Sequence, residues 1–532
     1  MEKMAHFFSF KTPKISWINF LNFFLIAFII VSAAFLRLYK IADYMTFLGD
    51  EGRDVLVVYN ILHGKLTLLG PTASVGGFFL GPIYYYFIAP FLWLFNYSPV
   101  GPAVMVALFG IVTVWLVYKV GTEFFNKNVG LLAASLYAIS PLIVSYSRSS
   151  WNPNLMPFFS LLTLYLLYNA IKKNSKKTIA ISGISFGIAM QLHYISIFLG
   201  IIVAMCILYF RLIVLGKKAV KKIVADYLMF FAGFIIGWSP FLAFEARHGF
   251  QNIQNIVNFV VFPQGKDAIS TNEGFLSNIT NVFFRLFGRL VTNFPPPEQV
   301  STQAHLNIFI WFWITILLAI GSCGVLIYYY KKTKEYNKKL QYGLFLIWLF
   351  FGIGLFGLYR KNIYDYYFGF MFPLPFFLVA NLLFFFWSKK NIIRYFSVII
   401  FIALFIINLQ SISFKYPPNR QLAQTEYIAQ FVLSKTEGKP YNFALISGAN
   451  SDHAYRYFFK IWNKDPMQIE TLLQDPQRST VTDQLLVICE DPNCQPLGNA
   501  SWEIAGFGRA EIVQKWIVSV VQVYKLAHYN EK

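Results

Sequence analysis

Apolar runs alternate with short polar connections along most of this chain. The runs cover roughly 17–36, 100–119, 129–147, 155–171, 178–191, 194–212, 223–244, 306–329, 341–359, 367–387 and 395–412. About 20 apolar residues carry a helix across the hydrocarbon core of a bilayer. In lipid, only helices and closed barrels satisfy their own backbone polar groups. The pattern therefore predicts an α-helical polytopic membrane protein. A further apolar stretch, 79–95, is interrupted by Gly81, Pro82 and Pro90 and carries Tyr84-Tyr85-Tyr86. It reads as a juxtamembrane or re-entrant element, or as another span if two runs elsewhere have been merged, so the expected count is about 11–13.

Beyond residue 412 the pattern changes. Residues 441–447 and 484–489 predict buried strands, 514–526 a longer strand, and 420–435 and 453–462 helices. The expected organisation is a membrane module, 1–412, followed by a small extracytoplasmic α/β domain, 413–532. Between the first two spans, 54–62 predicts an amphipathic helix with Val55, Val58, Ile61 and Leu62 on one face. Residues 253–262 and 275–291 have the pattern of interfacial helices.

Composition agrees with the pattern. Of 532 residues, 57% are hydrophobic and 13% charged, against about 25% charged in soluble domains. The net charge of +20 does not point to nucleic acid, because the lysines cluster in short loops between spans. Lys172, Lys173, Lys176 and Lys177 form one cluster, and Arg211, Lys217, Lys218, Lys221 and Lys222 a second. Lys331, Lys332, Lys334, Lys338 and Lys339 form a third, and Lys389, Lys390 and Arg394 a fourth. The positive-inside rule puts all four in the cytoplasm, which they reach together only if 79–95 does not cross. The basic segment 1–16 then starts in the cytoplasm. The run after it is too long for a signal-peptide core and lacks a small-residue cleavage site, so it reads as an uncleaved anchor. The expectation is a plasma (inner) membrane protein with its tail outside. Cys206 and Cys323 read as packing residues. Cys489 and Cys494 fit a small disulfide loop if the tail is outside, and equally fit two free thiols.

The chemistry concentrates in Gly49-Asp50-Glu51-Gly52-Arg53-Asp54, just past the first span. Carboxylates at a membrane exit are costly to keep near low dielectric, and such a setting strengthens a carboxylate as a proton acceptor. Asp50 reads as a general base with Glu51 orienting it. The alternative is a pair that caps the helix beginning near Arg53. Arg148 ends the third span on the same side and offers a fork of donors suited to phosphate, with interfacial snorkelling as the alternative. Asn152 and Asn154 fit helix capping or contact with a sugar hydroxyl. His193, in the polar turn Gln191-Leu192-His193-Tyr194, fits phosphate binding, leaving-group protonation or a structural role. Arg247, Arg360 and Lys361 stand at outer span ends, where cations run against the usual bias and suit a lipid phosphate or outer headgroups. Walker, His-Glu-x-x-His and Gly-x-Ser-x-Gly motifs are missing.

These features resemble the GT-C superfamily of membrane glycosyltransferases, and are most similar to bacterial relatives of protein O-mannosyltransferases and of the lipid A aminoarabinose transferase. The resemblance rests on Leu36-Arg37-Leu38-Tyr39, on Leu48 to Asp54, on Gly81-Pro82-Ile83-Tyr84-Tyr85, on Ala138-Ile139-Ser140-Pro141, on Ser147-Arg148 and on the aromatic stretch from Tyr364 to Pro373. It implies a polyprenyl-phosphate-linked sugar donor, an inverting displacement, and Asp50 at the position of the catalytic aspartate. Arg148, Arg247, Arg360, Lys361 and His193 become candidates for the donor phosphate, and Arg53, Asn152 and Tyr364 for substrate contact. Some relatives use acidic residues after the second-loop arginine to hold a metal. Trp151, Asn152 and Asn154 stand there in this chain, so no cofactor is assigned and a divalent metal lacks support. The acceptor, whether lipid, glycan or protein, stays open. A transporter or flippase of lipid-linked sugars is the rival reading, and a scaffold whose tail recruits partners is another. Transporters favour internal repeats and mid-span charges, and neither is evident.

Overall fold

Every one of the eleven apolar runs is helical in the computed structural model, which describes residues 17–73, 77–261, 274–296, 300, 306–389, 392–448, 450–491 and 493–529. The basic segment 1–16 lies outside the described residues. Among the described residues, seven helices are long and apolar enough to cross a membrane, and up to nine if each of two bent pairs counts as one span. The protein is an integral membrane protein. The bends follow the sequence. Val220–Gly237 and Ser239–Arg247 meet at 72° and the turn Asp365–Met371 meets Leu374–Trp387 at 61°, in each case with a proline at the start of the second segment, where its missing N–H costs nothing. The run 129–147 breaks in the same way into Lys127–Ile139 and Pro141–Tyr146.

The stretch 79–95 forms Ile83–Leu94. Its 12 residues rise about 18 Å, short of the ~30 Å core, and it buries Tyr84, Tyr85, Ile88 and Leu92 against protein. Helices Lys176–Leu192 and Val220–Gly237 pack backbone to backbone. A Cβ on Gly183 would lie 2.1 Å from the Phe230 carbonyl oxygen, and one on Gly233 would lie 2.0 Å from that of Ala180. Small residues permit such approach in membranes.

The two ends of the bundle differ. At the end bearing the basic loops, Arg211 pairs with Asp226 at 2.5 Å, and Lys338 Nζ donates to the carbonyls of Phe124 and Phe125. The opposite end carries the helix Gly49–Leu62, the helix Phe275–Gly288 and the tail. The tail is a four-stranded sheet in the order β1-β2-β4-β3. The strands are β1 Asn442–Ile446, β2 Gln484–Cys489, β3 Ala510–Val518 and β4 Val521–His528. β1 and β2 run parallel, and β4 pairs antiparallel with both β2 and β3. Helices Gln421–Lys435 and His453–Ile461 complete the domain. The single strand expected at 514–526 is a hairpin instead. It turns through Ser519-Val520, with Ser519 at φ 55°. Two-residue hairpin turns need left-handed backbone and usually announce it with Gly or Asn; this one does not. Cys489 and Cys494 are joined by a disulfide.

Candidate active site

The first span, Trp17–Leu38, hands the chain to a short helix, Ile41–Tyr44, and then to Gly49–Leu62, the site helix. This helix starts a turn earlier than expected, so Asp50 and Glu51 lie in its first turn rather than in a loop before it. Val55, Val58 and Ile61 are buried, as their spacing requires. Residues three and four apart share a helix face, which sets Arg53 and Asp54 beside Asp50. Arg53 donates to Asp50 Oδ1 at 2.9 Å and to Asp54 Oδ1 at 3.0 and 2.8 Å. The three side chains are graded in exposure: 54% for Asp50, 22% for Arg53 and 1% for Asp54. Burial pushes the Asp54 carboxyl up to about 7 against the opposing pull of Arg53.

Glu51 points away from this ladder. Its Oε2 accepts the Leu48 N–H at 3.1 Å and its Oε1 lies 3.4 Å from Ser149 Oγ. Burial raises its proton affinity. The capping alternative therefore describes Glu51, and Asp50 is the carboxylate left open.

Asp50 and Arg53 line a cavity of about 250 Å³ together with Asn152, His193, Trp151 and Tyr366. Four of the candidate residues thus meet at one site. Asn152 Nδ2 donates to the Leu192 carbonyl at 2.5 Å, which fixes the turn holding His193. The His193 ring is buried in the cavity wall, and desolvation pushes it down to about 3, which favours the neutral imidazole. Its neighbour Gln191 is structural: it accepts from the Ile83 N–H at 3.1 Å and donates to the Gly237 carbonyl at 2.6 Å.

The structure moves Arg148 out of this group. It is 2% exposed, it donates to the carbonyls of Leu36, Tyr39 and Lys40 at 2.8, 2.7 and 3.2 Å, and its guanidinium sits over the Phe414 and Tyr44 rings. It closes the C-terminal end of the first span, whose last carbonyls lack helical partners. Arg247 is exposed at the end of Ser239–Arg247, outside the cavity lining. Arg360 is exposed and Lys361 half-buried in the loop before Asp365. Tyr364 is exposed and stacks on Tyr366, one ring from the cavity wall. Among the described residues, no group of three His, Cys, Asp or Glu side chains could hold a metal ion.

Two further features were not singled out from the sequence. Asp365, next to Tyr366, accepts from Arg285 at 2.8 and 2.5 Å and from Arg289 at 3.1 Å. Two guanidinium groups on one carboxylate leave a net positive charge beside the cavity. Arg285 belongs to helix Phe275–Gly288, whose Phe275, Ile279 and Phe283 recur every four residues and line an apolar groove of about 920 Å³. The groove continues between Leu306–Lys332 and Tyr336–Gly354, from Gly354 at the tail end to Tyr330 at the basic end. The i, i+4 arginine pair was legible; its partner across 80 residues was not.

Residues 80–244 match the family model described as dolichyl-phosphate-mannose-protein mannosyltransferase. No curated protein sequence matches the chain. Among solved structures, ArnT from Cupriavidus metallidurans bound to undecaprenyl phosphate is similar, at TM-score 0.59 and 11% identity over 96% of this chain and 98% of that one. The archaeal oligosaccharyltransferase AglB from Archaeoglobus fulgidus, in complex with an inhibitory peptide and a dolichol-phosphate, aligns at TM-score 0.51 and 14% identity over 89% of this chain and 70% of that one. The chain shares the fold of these two membrane proteins, and its residues 80–244, under a third of its length, match the mannosyltransferase family model.

Proposed function

We propose that the protein transfers a sugar from a polyprenyl-phosphate donor to an acceptor at the membrane face that carries the tail, with inversion at the anomeric carbon. The observation that carries this reading is the open Asp50 carboxylate on the wall of a cavity at the tail end of the bundle. An acceptor hydroxyl oxygen attacks the anomeric carbon, and its proton passes to Asp50. The bond from that carbon to the phosphate oxygen breaks, and its electron pair leaves on polyprenyl phosphate. Fixed cations stabilise such a leaving group. Arg285 and Arg289 are the best placed by their net charge, with Arg360 and Lys361 on the adjoining loop. The apolar groove lined by one face of Phe275–Gly288, the helix that also carries Arg285, suits an isoprenoid chain. Two structures of similar fold, solved with undecaprenyl phosphate and dolichol-phosphate, add support for a lipid-phosphate ligand. The basic loops argue for a cytoplasmic opposite face.

The test is consumption of a radiolabelled polyprenyl-phosphate sugar by purified protein in liposomes. Release of free polyprenyl phosphate with loss of label from the lipid supports transfer. Relocation of intact donor across the bilayer, without consumption, would replace this reading with a transporter.

A further inference from the structure

The tail does more than sit beside the site helix. The Gly49 N–H donates to Asn450 Oδ1 at 2.9 Å, and the same oxygen accepts the Ser451 N–H at 2.9 Å. Asn450 Nδ2 in turn donates to both oxygens of Glu490 at 3.0 and 3.1 Å. Tyr455 OH also donates to Glu490, at 3.0 Å. The Glu490 backbone N–H is tied to the Ile446 carbonyl, extending the β1–β2 pairing by one residue, and the Cys489–Cys494 disulfide closes the loop in which Glu490 lies.

We infer that Asn450 is a positioning residue for Asp50, and that the tail is thereby a working part of the site; the link to catalysis rests on the proposed role of Asp50. The first N–H groups of a helix have no partner within it. Here the Leu48 N–H is taken by Glu51 and the Gly49 N–H by Asn450, so the turn holding Asp50 is fastened once from inside the helix and once from the tail. The contact is close because glycines make it so. A Cβ on Gly49 would lie 2.1 Å from Ser451 Oγ, and one on Gly52 would lie 2.3 Å from the Ala454 nitrogen. Neither glycine can move away without opening the interface, and Asp50 lies between them. General bases act within hydrogen-bond reach of the proton they take, and a displacement of about 1 Å can cost ~10²-fold in rate.

The experiment uses polarity reversal in the full-length protein. Asn450→Asp keeps an acceptor for the Gly49 N–H but replaces the bonds to Glu490 with two facing carboxylates. Combining it with Glu490→Gln restores the contact with the donor on the opposite side, because the new amide can donate to the new carboxylate while still accepting from Tyr455. Hydrogen exchange of peptides covering 46–56, kcat, donor KM and thermal midpoint are measured for each. The expected result is about tenfold faster exchange at 49–53 and about tenfold lower kcat in N450D, with donor KM unchanged, and recovery of both in N450D/E490Q. Unchanged exchange in N450D, faster exchange without loss of kcat, or a double variant no better than the single would each overturn the proposal. If the wild type consumes no donor, the functional reading falls, and the exchange data alone decide whether the clamp exists.

Discussion

Two arginine–carboxylate clusters stand at opposite ends of the bundle, built from the same chemistry to different effect. At the basic end Arg211 and Asp226 are 3% and 1% exposed and face each other. At the tail end Arg53 bridges a sealed Asp54 and an open Asp50 that faces a cavity. A closed pair spends its charges on each other and ties helix Ser196–Leu215 to Val220–Gly237. A graded trio leaves one carboxylate available to a visitor while its neighbours hold it in place. The presence of an ion pair is thus uninformative about function; the gradient of exposure along it is the ground on which we propose Asp50, and not Asp226, for chemistry.

The comparison can be broken most severely at Asp50. Asp50→Asn is expected to lower transfer by roughly 10²–10⁴ with unchanged insertion and thermal midpoint; donor-consumption assays on matched amounts of protein check this. The mirror experiment is Asp226→Asn, which strands a buried guanidinium and should destabilise by about 3–5 kcal/mol, while transfer per folded molecule is retained. Adding Arg211→Met should recover most of that stability, since an apolar pair is often as good as a buried ionic one. Denaturation in detergent, run beside activity, separates the two ends.

A smaller effect comes from pH. Folding raises the Asp54 proton affinity from the usual 3.8 to about 7, so the folded state holds more protons across that window. Its contribution to stability is fullest below the lower value and declines as pH rises toward the upper one. Asp54→Asn should flatten that part of the profile in melts between pH 4 and 7.5 (roughly the titration window). The smallest expected change follows Glu51→Gln, which keeps an acceptor for the Leu48 N–H. Activity within about threefold of wild type would mark Glu51 as a cap; a loss as large as that of D50N would restore it to the chemistry.

Much of this was legible because lipid enforces it. The helical runs, the interruption of the 79–95 stretch and the α/β character of the tail follow from runs of apolar residues, and Asp50 stood out because a carboxylate at a membrane exit is unusual. What escaped depended on partners distant in sequence. Arg148 has the right side chain on the right side, but carbonyls at 36, 39 and 40 claim it. Arg285 and Arg289 acquire meaning only through Asp365. The turn at Ser519 carries no glycine or asparagine to announce it, so one strand was expected where there are two. The contact of Glu51 with the Leu48 N–H depends on a helix start one turn earlier than the spacing suggests.

The backbone contact at Gly49 and Gly52 bears on how such a protein can be re-engineered. A tail seated on side chains could be exchanged between relatives, with a few surface residues adjusted. This one meets the main chain of helix Gly49–Leu62 directly, through Asn450 and Ser451 at Gly49 and through the Ala454 backbone at Gly52, with no room for an added methyl. A chimera that imports a foreign tail would have to import residues 41–62 with it, so the two segments form a single unit of inheritance despite lying about 400 positions apart.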